Sequence, residues 1–518
     1  MVTLRYVRNC ISRGRRDVPA IDFAIASAAL LINMVAGLLI ARGGVLFTRP
    51  LWLDEYHTLL VANRDTLREG IRVLAQGADF NPPLLYLIMH GVGRVAGLSP
   101  LSMRMVAFAS VWLASVVTYA SLRRFLPFGS ALGGALAVWS SFVVVDQAFQ
   151  ARFYGPWLLF CCVLIWSIGI HRDRERSRYR DAAIALSSIG VCTIHYFGIF
   201  SVILIAGGAA FSLRRSGTSL RRIAPILAGP CALLICAPLY LGQRASLTVR
   251  TWIAPQGLGE LIWMTRRILL RPPLVLVVFT GFMVGVLRRP NAVIRSWPPE
   301  FAAMLGLGLM PLVIFGFSVV VQPSLVDRYL IVAVLAWCPF VGIAYARVGR
   351  PLKVAFAVLM LAFGAKMVNF RAGRARVDAA RMAAEAAAVA PFLRDGSRIV
   401  VLSRHTLYPL AHSSGNGDLR FLDISDTTLQ RMDSTLSLGD PTSGRRNYLY
   451  ILERDVARVH HRLFDFPKLA HMPTDESLSR TVFFAPAGVW PANVAELLFP
   501  GREIDRPAPD FFILRGKP

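Results

Sequence analysis

The sequence predicts a polytopic α-helical membrane protein with a small α/β domain at its C-terminal end. Hydrophobic residues make up 55% of the 518 residues, and the mean hydropathy of +0.52 is too high for a soluble globular protein of this size. Long apolar runs with few charges recur along the chain. After about Asn369 the composition turns polar, which marks the separate domain.

Apolar runs of about 20 residues are each long enough to cross the hydrocarbon core as a helix. We predict about 11 such spans, beginning near Phe23, Met105, Phe125, Phe153, Ala182, Tyr196, Ile223, Pro272, Phe301, Tyr329 and Val354. A further apolar stretch, residues 82–98, carries His90 and Arg94 and is predicted to be a juxtamembrane helix on the outer surface.

The formal net charge of +26 comes from Arg clusters between apolar runs, not from one soluble basic face, so nucleic-acid binding is not indicated. The clusters are residues 5–16, 123–124, 172–180, 214–222, 288–295 and 347–353. They fall at every second boundary, so all of them can be cytoplasmic. We therefore expect a bacterial inner-membrane protein with a cytoplasmic N-terminus. Residues 182–213, flanked by Arg on both sides, are predicted to form two short spans with their turn at His195 and Tyr196.

The tail contains two strand-like segments, residues 398–402 and 448–452, after an Ala-rich helical run at 377–393. We predict a transmembrane domain at 1–370 and an extracytoplasmic (periplasmic) α/β domain at 371–518. The seven cysteines lie in spans or on the cytoplasmic side, so neither a disulfide framework nor a zinc-type cluster is indicated.

The first outer loop holds adjacent carboxylates, Asp54 and Glu55, directly after a span. A transfer of sugar to a hydroxyl needs a carboxylate to take the acceptor proton, and a second acidic group can offset charge on a departing phosphate. Asp54 is the candidate base and Glu55 its support, although a solvated helix start would explain an isolated pair. Asp146 and Arg152, at the outer end of the third predicted span, add a second polar position on the same side.

Other outer-face residues are candidates for binding. Asn81 can cap the juxtamembrane helix, which is its simplest role. Each of His57, His90 and His195 could join a metal site, but their spacing matches no compact ligand motif. Outer-face arginines could hold a lipid phosphate, or could anchor an interfacial helix equally well; they are Arg244, Arg250, Arg266, Arg267, Arg271 and Arg328.

The order of these motifs resembles that of the polyprenol-dependent GT-C glycosyltransferases. The residues that carry the likeness are Asp54-Glu55, the segment 81–86 with Gly97 and Arg104, the segment 150–154 ending in Tyr154, His195-Tyr196, and the segment 327–330. The likeness is strongest to the family-39-like branch of protein O-mannosyltransferases, lipid A aminoarabinose transferase and rhizobial galacturonosyltransferases. It covers roughly the first 370 residues.

The resemblance implies an inverting glycosyltransferase with Asp54 as base or charge-stabilising residue. It also implies a polyprenyl-phosphate-linked sugar donor and an outer-face acceptor such as lipopolysaccharide, lipid A, a cell-wall glycan or a protein. In such a reaction Glu55 and Asp146 would shape the charge at the catalytic site, and Arg152 or Arg328 would hold the phosphate. Relatives often have His or an acidic residue where this chain has Asn81, which leaves open whether a divalent cation takes part.

Two other functions fit some of the same features. A transporter or flippase of lipid-linked sugars would also have many spans, but it would need charged or broken helices near the bilayer midplane. An O-antigen ligase or polymerase would work on diphosphate-linked glycans. Polar residues gathered at the outer edge favour surface chemistry over passage through the membrane.

Overall fold

The structure of the chain is a computed structural model, which describes residues 20–40, 42–170, 178–246, 253, 256–268, 297–347, 350–395, 397–401, 407 and five later strands. The chain forms two compact units. The first comprises residues 1–48, 81–237 and 255–374, and the second comprises 49–80, 238–254 and 375–518.

Helices make up most of the described residues. In chain order they are α1 (Ala20–Ile40), α2 (Val45–Thr48), α3 (Leu53–Ala62), α4 (Leu67–Ala75), α5 (Leu84–Ala96), α6 (Pro100–Arg123), α7 (Phe128–Leu136), α8 (Phe142–Ala148), α9 (Tyr154–Gly169), α10 (Arg178–Ile194), α11 (Gly198–Arg215), α12 (Ala228–Ile235), α13 (Ala237–Ala245), α14 (Leu258–Ile268), α15 (Pro299–Leu307), α16 (Met310–Val320), α17 (Trp337–Arg347) and α18 (Arg350–Arg394). Ala137–Ser140, Leu220–Leu227 and Asp327–Ala336 are 3-10 helices.

The described helices include several that can cross a membrane. Judged by length and apolar composition, five of them qualify, or up to seven if two bent pairs each count as one span. The expected number of spans therefore remains a prediction. The span expected from Pro272 and the Arg clusters at 5–16 and 288–295 lie outside the described residues.

The span expected from Phe125 is not one straight helix, although its two pieces together are long and apolar enough to be one bent span. Helix α7 ends at Leu136, a 3-10 turn follows, and α8 leaves at an angle of 72° to the preceding segment. The span expected from Phe301 is also bent, by 41° between α15 and α16. Hydropathy does not detect such bends, because each piece stays apolar. Both bends lie in the first unit.

Two short helices meet where the sequence places a turn. Helix α10 has 17 residues and α11 has 18, and residues 195–197 join them. At ~1.5 Å per residue each is only about 25 Å long, short of a hydrocarbon core of about 30 Å. The apolar stretch expected at 82–98 is likewise a short helix, α5, with 13 residues.

The first unit has buried charge at the end where α6 finishes. Arg124 lies 3.8 Å from Glu300, a carboxylate whose side chain is fully buried, and donates a hydrogen bond to the Trp166 carbonyl at 2.9 Å. Arg123 pairs with Asp22 at 2.7 Å. These pairs tie α6 to α9, α15 and α1. The start of α9, at Tyr154, lies at the opposite end of that helix.

The second unit contains α3, α4 and a six-stranded sheet. The strands are β1 (Arg398–Val401), β2 (Leu419–Asp423), β3 (Lys468–His471), β4 (Thr481–Phe484), β5 (Ile504–Ala508) and β6 (Phe511–Leu514). Their order is β3-β2-β1-β4-β6-β5; neighbours among the first four are parallel, and β6 runs antiparallel to β4 and β5.

Expectations for the tail have mixed outcomes. The strand expected at 398–402 is present as β1, and the helical run at 377–393 is the end of α18. Helix α18 continues through residue 370 without a break. The strand expected at 448–452 lies outside the described residues, and the boundary between domains at 370 remains a prediction.

Helices α6 and α9 pack so closely that one glycine is required. A Cβ atom at Gly155 would lie 2.5 Å from the Ala107 carbonyl oxygen. We expect Gly155→Ala to lower the free energy of unfolding by ~1–3 kcal/mol, because backbone has to move to relieve the clash. Thermal unfolding of the detergent-solubilised protein would measure this loss.

Gly207→Ala, on α11, is the matched control, because nothing lies within 4 Å of the added Cβ. It should leave the unfolding midpoint unchanged or raise it. Equal midpoints for the two variants would contradict the close approach of α6 and α9.

Candidate functional site

The carboxylates Asp54 and Glu55 lie in the first turn of α3 but have different surroundings. Glu55 is fully buried, and its Oε2 accepts a hydrogen bond from the Trp52 backbone N–H at 3.1 Å. This reach back from the third helical residue closes the start of the helix. Asp54 is half-buried, and its backbone carbonyl accepts the Thr58 hydroxyl at 3.4 Å. The structure thus gives Glu55 a role at the helix start, which is the alternative that the sequence left open for this pair, although Glu55 is buried and not solvated.

Other polar groups are buried in the same segment of the second unit. His57 is 8% exposed, Arg49 is 5% exposed and Asp79 is 4% exposed. Asp79 accepts the Phe80 backbone N–H at 2.7 Å. Buried charged groups are normally paired or hydrogen-bonded, so this stretch is a polar environment and not simple membrane packing.

In the first unit, Asp146 lies on the short helix α8 just after the 72° bend. Its Oδ1 is 2.7 Å from Nε of Arg371 on α18. Its Oδ2 accepts hydrogen bonds from the side-chain amides of Gln147 at 2.8 Å and Gln150 at 3.1 Å. The side chains of the ion pair are 14% and 19% exposed, so Asp146 and Arg371 largely offset each other's charge.

Arg267 on α14 is held in a second ion pair. Its Nη1 lies 2.7 Å from Oδ2 of Asp327, and its guanidinium lies 4.7 Å from the Phe142 ring centroid and 4.8 Å from that of Trp263. Because Phe142 begins α8, these contacts join α14, α8 and the 3-10 helix at 327–336. Arg266 lies on the exposed side of α14.

Arg328, Arg152 and His195 lie around an aromatic cluster. The Arg328 guanidinium is 5.9 Å from the Tyr329 ring centroid, and Arg152 is 5.2 Å from that of Phe153. The His195 ring stacks on Phe153, with centroids 4.3 Å apart. Three more rings belong to this cluster, each with its centroid less than 6.5 Å from that of Phe153, His195 or Tyr329. They are Tyr154, Trp157 and Phe197.

The His195 tautomer follows from one contact. Nδ1 of His195 accepts the Phe197 backbone N–H at 3.2 Å, so in neutral His195 the proton is on Nε2. His195 is 5% exposed and is tightly packed between rings. The turn between α10 and α11 therefore presents an oriented imidazole to the aromatic cluster.

Asn81, which the sequence suggested as a cap of α5, does not occupy the N-cap position of that helix. Helix α5 begins at Leu84, and Pro83 occupies the N-cap position without a side-chain hydrogen bond. Asn81 is 4% exposed. Arg104 is fully buried and donates a hydrogen bond to the Phe47 carbonyl at 3.1 Å, which closes the end of α2.

The described residues contain no group of three or more His, Cys, Asp or Glu side chains that could hold a metal ion. The amide at Asn81 adds no charge of its own to such a site. The acidic groups Asp146 and Asp327 are engaged with arginines.

In the first unit Arg152, Tyr154, His195 and Arg328 lie around one set of aromatic rings, and Asp146 and Arg267 lie on the helices α8 and α14, which contact each other through Phe142. We call this set the end cluster. Asp54, Glu55 and His57 belong to the second unit. Sequence reasoning did not select Arg371 or Asp327 as site residues; their partners are far apart along the chain, and nothing in the local pattern predicts either pairing.

The fold is that of a helical multi-pass membrane protein. Two crystal structures of ArnT from Cupriavidus metallidurans match it along nearly the whole chain. The structure bound to undecaprenyl phosphate gives a TM-score of 0.56 at 13% identity, covering 94% of this chain and 98% of that chain. The apo structure gives 0.56 at 14% identity, covering 95% and 98%. Protein-family models and curated protein sequences gave no match.

The Asp146–Arg371 pair should contribute measurably to stability. We expect a double-mutant cycle of Asp146→Asn and Arg371→Gln to give a coupling free energy of ~1–3 kcal/mol, because each single change leaves a mostly buried charge without its partner. Thermal or denaturant unfolding in detergent would measure it.

The control is the pair Arg381–Glu385 on the same helix, one helical turn apart and 3.8 Å from each other, in which the arginine is 60% exposed and the glutamate 14% exposed. Its coupling should be only ~0.3–0.5 kcal/mol. A coupling at Asp146–Arg371 no larger than this would show that the buried pair does not hold α8 to α18.

Proposed function

We propose that the chain is a glycosyltransferase that moves a sugar from a polyprenyl-phosphate donor to an acceptor hydroxyl on the outer face of the inner membrane. The observation that carries the proposal is the match, over 94% of this chain, to the fold of an ArnT structure bound to undecaprenyl phosphate. The order of sequence motifs supports the family-39-like branch, with a glycolipid, glycan or protein acceptor.

In the proposed reaction Asp54 is the general base. The acceptor oxygen attacks the anomeric carbon and its proton passes to the Asp54 carboxylate, while the bond from that carbon to the phosphate oxygen breaks and the polyprenyl phosphate leaves with the electron pair. Attack opposite the leaving group inverts the anomeric centre. Asp54 suits this role better than Glu55, whose carboxylate is fully buried and occupied by the Trp52 N–H.

The end cluster is the proposed site for the donor phosphate. Arg152 and Arg328 supply guanidinium groups, which hold phosphates through paired hydrogen bonds. The charge of Arg267 is offset by Asp327. The neighbouring Arg266, on the same helix α14, is exposed and adds positive charge there. His195 and Tyr154 would orient the phosphate and the sugar, since both present polar atoms from rigid, packed rings.

Asp146 has a positioning role in this proposal. Its two oxygens already accept two amide hydrogen bonds and face Arg371, so its charge is not available to take a proton. Asp146 holds α8 against α18, and this fixes the position from which the chain continues to Arg152. No step of the proposed reaction uses a metal ion.

Asp54→Asn should abolish transfer while leaving the protein in the membrane at normal levels. The amide keeps the side-chain shape but cannot accept the proton, so the rate should fall by about 10²–10⁴-fold. The measurement is release of polyprenyl phosphate from a defined polyprenyl-phosphate-sugar panel, followed by mass spectrometry of the carrier lipid.

Asp65→Asn is the matched control, because Asp65 is an exposed carboxylate in the same unit. It should transfer at the wild-type rate. Glu55→Gln should also remain active, since glutamine at this position can still accept the Trp52 N–H. Full activity in Asp54→Asn would remove Asp54 from the chemistry, and no donor consumption by the wild type would overturn the proposed function.

Arg328→Gln should weaken donor binding more than it slows the chemical step. Loss of charged hydrogen bonds worth ~1.5–3 kcal/mol predicts a rise of about 10–100-fold in the KM for the donor. Steady-state kinetics with varied donor would measure this. Arg215→Gln, at the exposed far end of α11, is the control and should not change KM. A loss confined to kcat would argue against phosphate binding by Arg328.

A further inference from the structure

A strongly basic turn of the first unit joins two apolar helical segments. Residues 214–222 contain four arginines and no acidic residue. The turn lies between Gly198–Arg215 and Leu220–Ala245, each of which is long and apolar enough to cross a membrane. A turn between two spans lies at the membrane surface, at the level of the lipid headgroups. We call residues 214–222 the basic turn.

Hydrogen bonds give the basic turn a defined backbone. Helix α11 ends at Arg215, and the Thr218 N–H donates to the Leu213 carbonyl at 2.8 Å. Gly217 has a φ of +66°, in the left-handed region that glycine adopts readily at the end of a helix. The 3-10 helix that begins at Leu220 then packs against α11. Two arginines therefore precede this turn and two follow it, at one end of a packed pair of helices.

Most of the charge in the basic turn is open to a ligand. Arg214, Arg215 and Arg221 are exposed, and Arg222 is half-buried. Within the part of the chain that the structure describes, no carboxylate forms an ion pair with any of the three exposed arginines. Their positive charges add to one another, because they are carried by two neighbouring helix ends.

The same end of the first unit also holds an arginine that is already paired. The Ser212 hydroxyl, near the end of α11, donates a hydrogen bond to the carbonyl of Trp297, three residues before Glu300. Glu300 is buried and lies 3.8 Å from Arg124. Arg124 thus holds helices together, whereas the exposed arginines of the basic turn have no such role among the described residues.

Exposed apolar side chains flank the basic turn. Phe211 lies one helical turn before Arg215 and is 56% exposed. Leu227, at the end of the 3-10 helix, is 61% exposed, and Leu234 on α12 is also exposed. Large apolar side chains exposed on spanning segments have lipid chains as their natural neighbours. The flanks of the turn therefore suit acyl chains, and the turn itself suits an anion.

The basic turn and the aromatic rings of the end cluster lie at opposite ends of α11. The Phe197 ring contacts His195 and directly precedes the first residue of α11, Gly198, whereas Arg215 is the last. Eighteen residues at ~1.5 Å each give a helix of roughly 25 Å, most of the thickness of a hydrocarbon core. The basic turn therefore faces the leaflet opposite the proposed donor site.

We propose that the basic turn binds the phosphate of an anionic phospholipid in the leaflet opposite the end cluster. Exposed guanidinium groups hold the phosphodiester through charged hydrogen bonds, and the acyl chains lie along Phe211 and Leu227. Basic segments directly beside a span attract anionic headgroups in this way. The site does not depend on the proposed function. A lipid bound there would fix the end of α11 and the start of the following 3-10 helix at the membrane surface.

The experiment uses the full-length protein in phosphatidylcholine vesicles that contain a small fraction of phosphatidylglycerol with a photoreactive diazirine in its acyl chain. After illumination, mass spectrometry locates the labelled residues. We expect label within residues 207–234, and about tenfold less label there from phosphatidylcholine with the same diazirine chain. High salt should reduce this difference, because it screens the attraction between arginine and phosphate.

A triple variant removes the exposed charge of the basic turn and should label equally with the two headgroups. Its substitutions are Arg214→Gln, Arg215→Gln and Arg221→Gln. All three side chains are exposed, so the variant should unfold at the wild-type temperature. A triple variant that keeps the preference for phosphatidylglycerol would overturn the proposal, as would equal labelling of the wild type by both headgroups.

The matched control removes the same charge from exposed arginines on α4 and α5 and should keep the wild-type preference within residues 207–234. Its substitutions are Arg68→Gln, Arg72→Gln and Arg94→Gln. An equal loss of preference in the control would assign the effect to net charge and overturn a local site. Inorganic phosphate, added at constant ionic strength, should not compete with the lipid. Competition by inorganic phosphate would show a site for free phosphate instead.

Discussion

A chain in the hydrocarbon of a bilayer must satisfy its own backbone hydrogen bonds, and this constraint determines where the polar site can form. A straight helix satisfies this constraint with its own hydrogen bonds. A bend leaves some backbone carbonyl and amide groups without helical partners, so other parts of the protein must bury them and hydrogen-bond to them. The 3-10 turn Ala137–Ser140 is buried throughout, and the Ser140 hydroxyl donates to the Ala137 carbonyl at 2.7 Å. The second irregular stretch, Asp327–Ala336, is buried from Leu330 onward. Polar residues of the end cluster follow the first stretch and open the second.

Apolar composition predicted the helices well because hydropathy is a property of each residue and needs no knowledge of neighbours in space. The turn between α10 and α11 and the short helix α5 were predicted on this basis. The 72° bend was not, since both pieces around it are equally apolar. Its only local signals are the adjacent glycines Gly133 and Gly134 and the pair Ser140 and Ser141, which are residues that often accompany kinks.

The ion pairs between residues far apart in the chain are the feature that the sequence predicts least. The pattern marks outer-face arginines as potential phosphate ligands, but it cannot show which of them are already neutralised. In the structure Arg267 lies 2.7 Å from Asp327 and between two rings, so it joins helices instead of presenting a free charge. Arg371 is engaged with Asp146 in the same way. The positive charge open to a ligand is therefore smaller than the count of arginines suggests.

The two adjacent carboxylates of α3 illustrate why neighbouring acidic residues seldom share one task on a helix. Successive side chains point about 100° apart, so Asp54 and Glu55 have different surroundings. The third residue of a helix is placed to reach back to the N-cap amide, and Glu55 does this at 3.1 Å while fully buried. Asp54, one residue earlier, is carried in a fixed position by the same helix start. The Glu55 carboxylate thus stabilises the helix start that carries the candidate base. Its hydrogen bond contributes to the fold whether or not Glu55 takes part in a reaction.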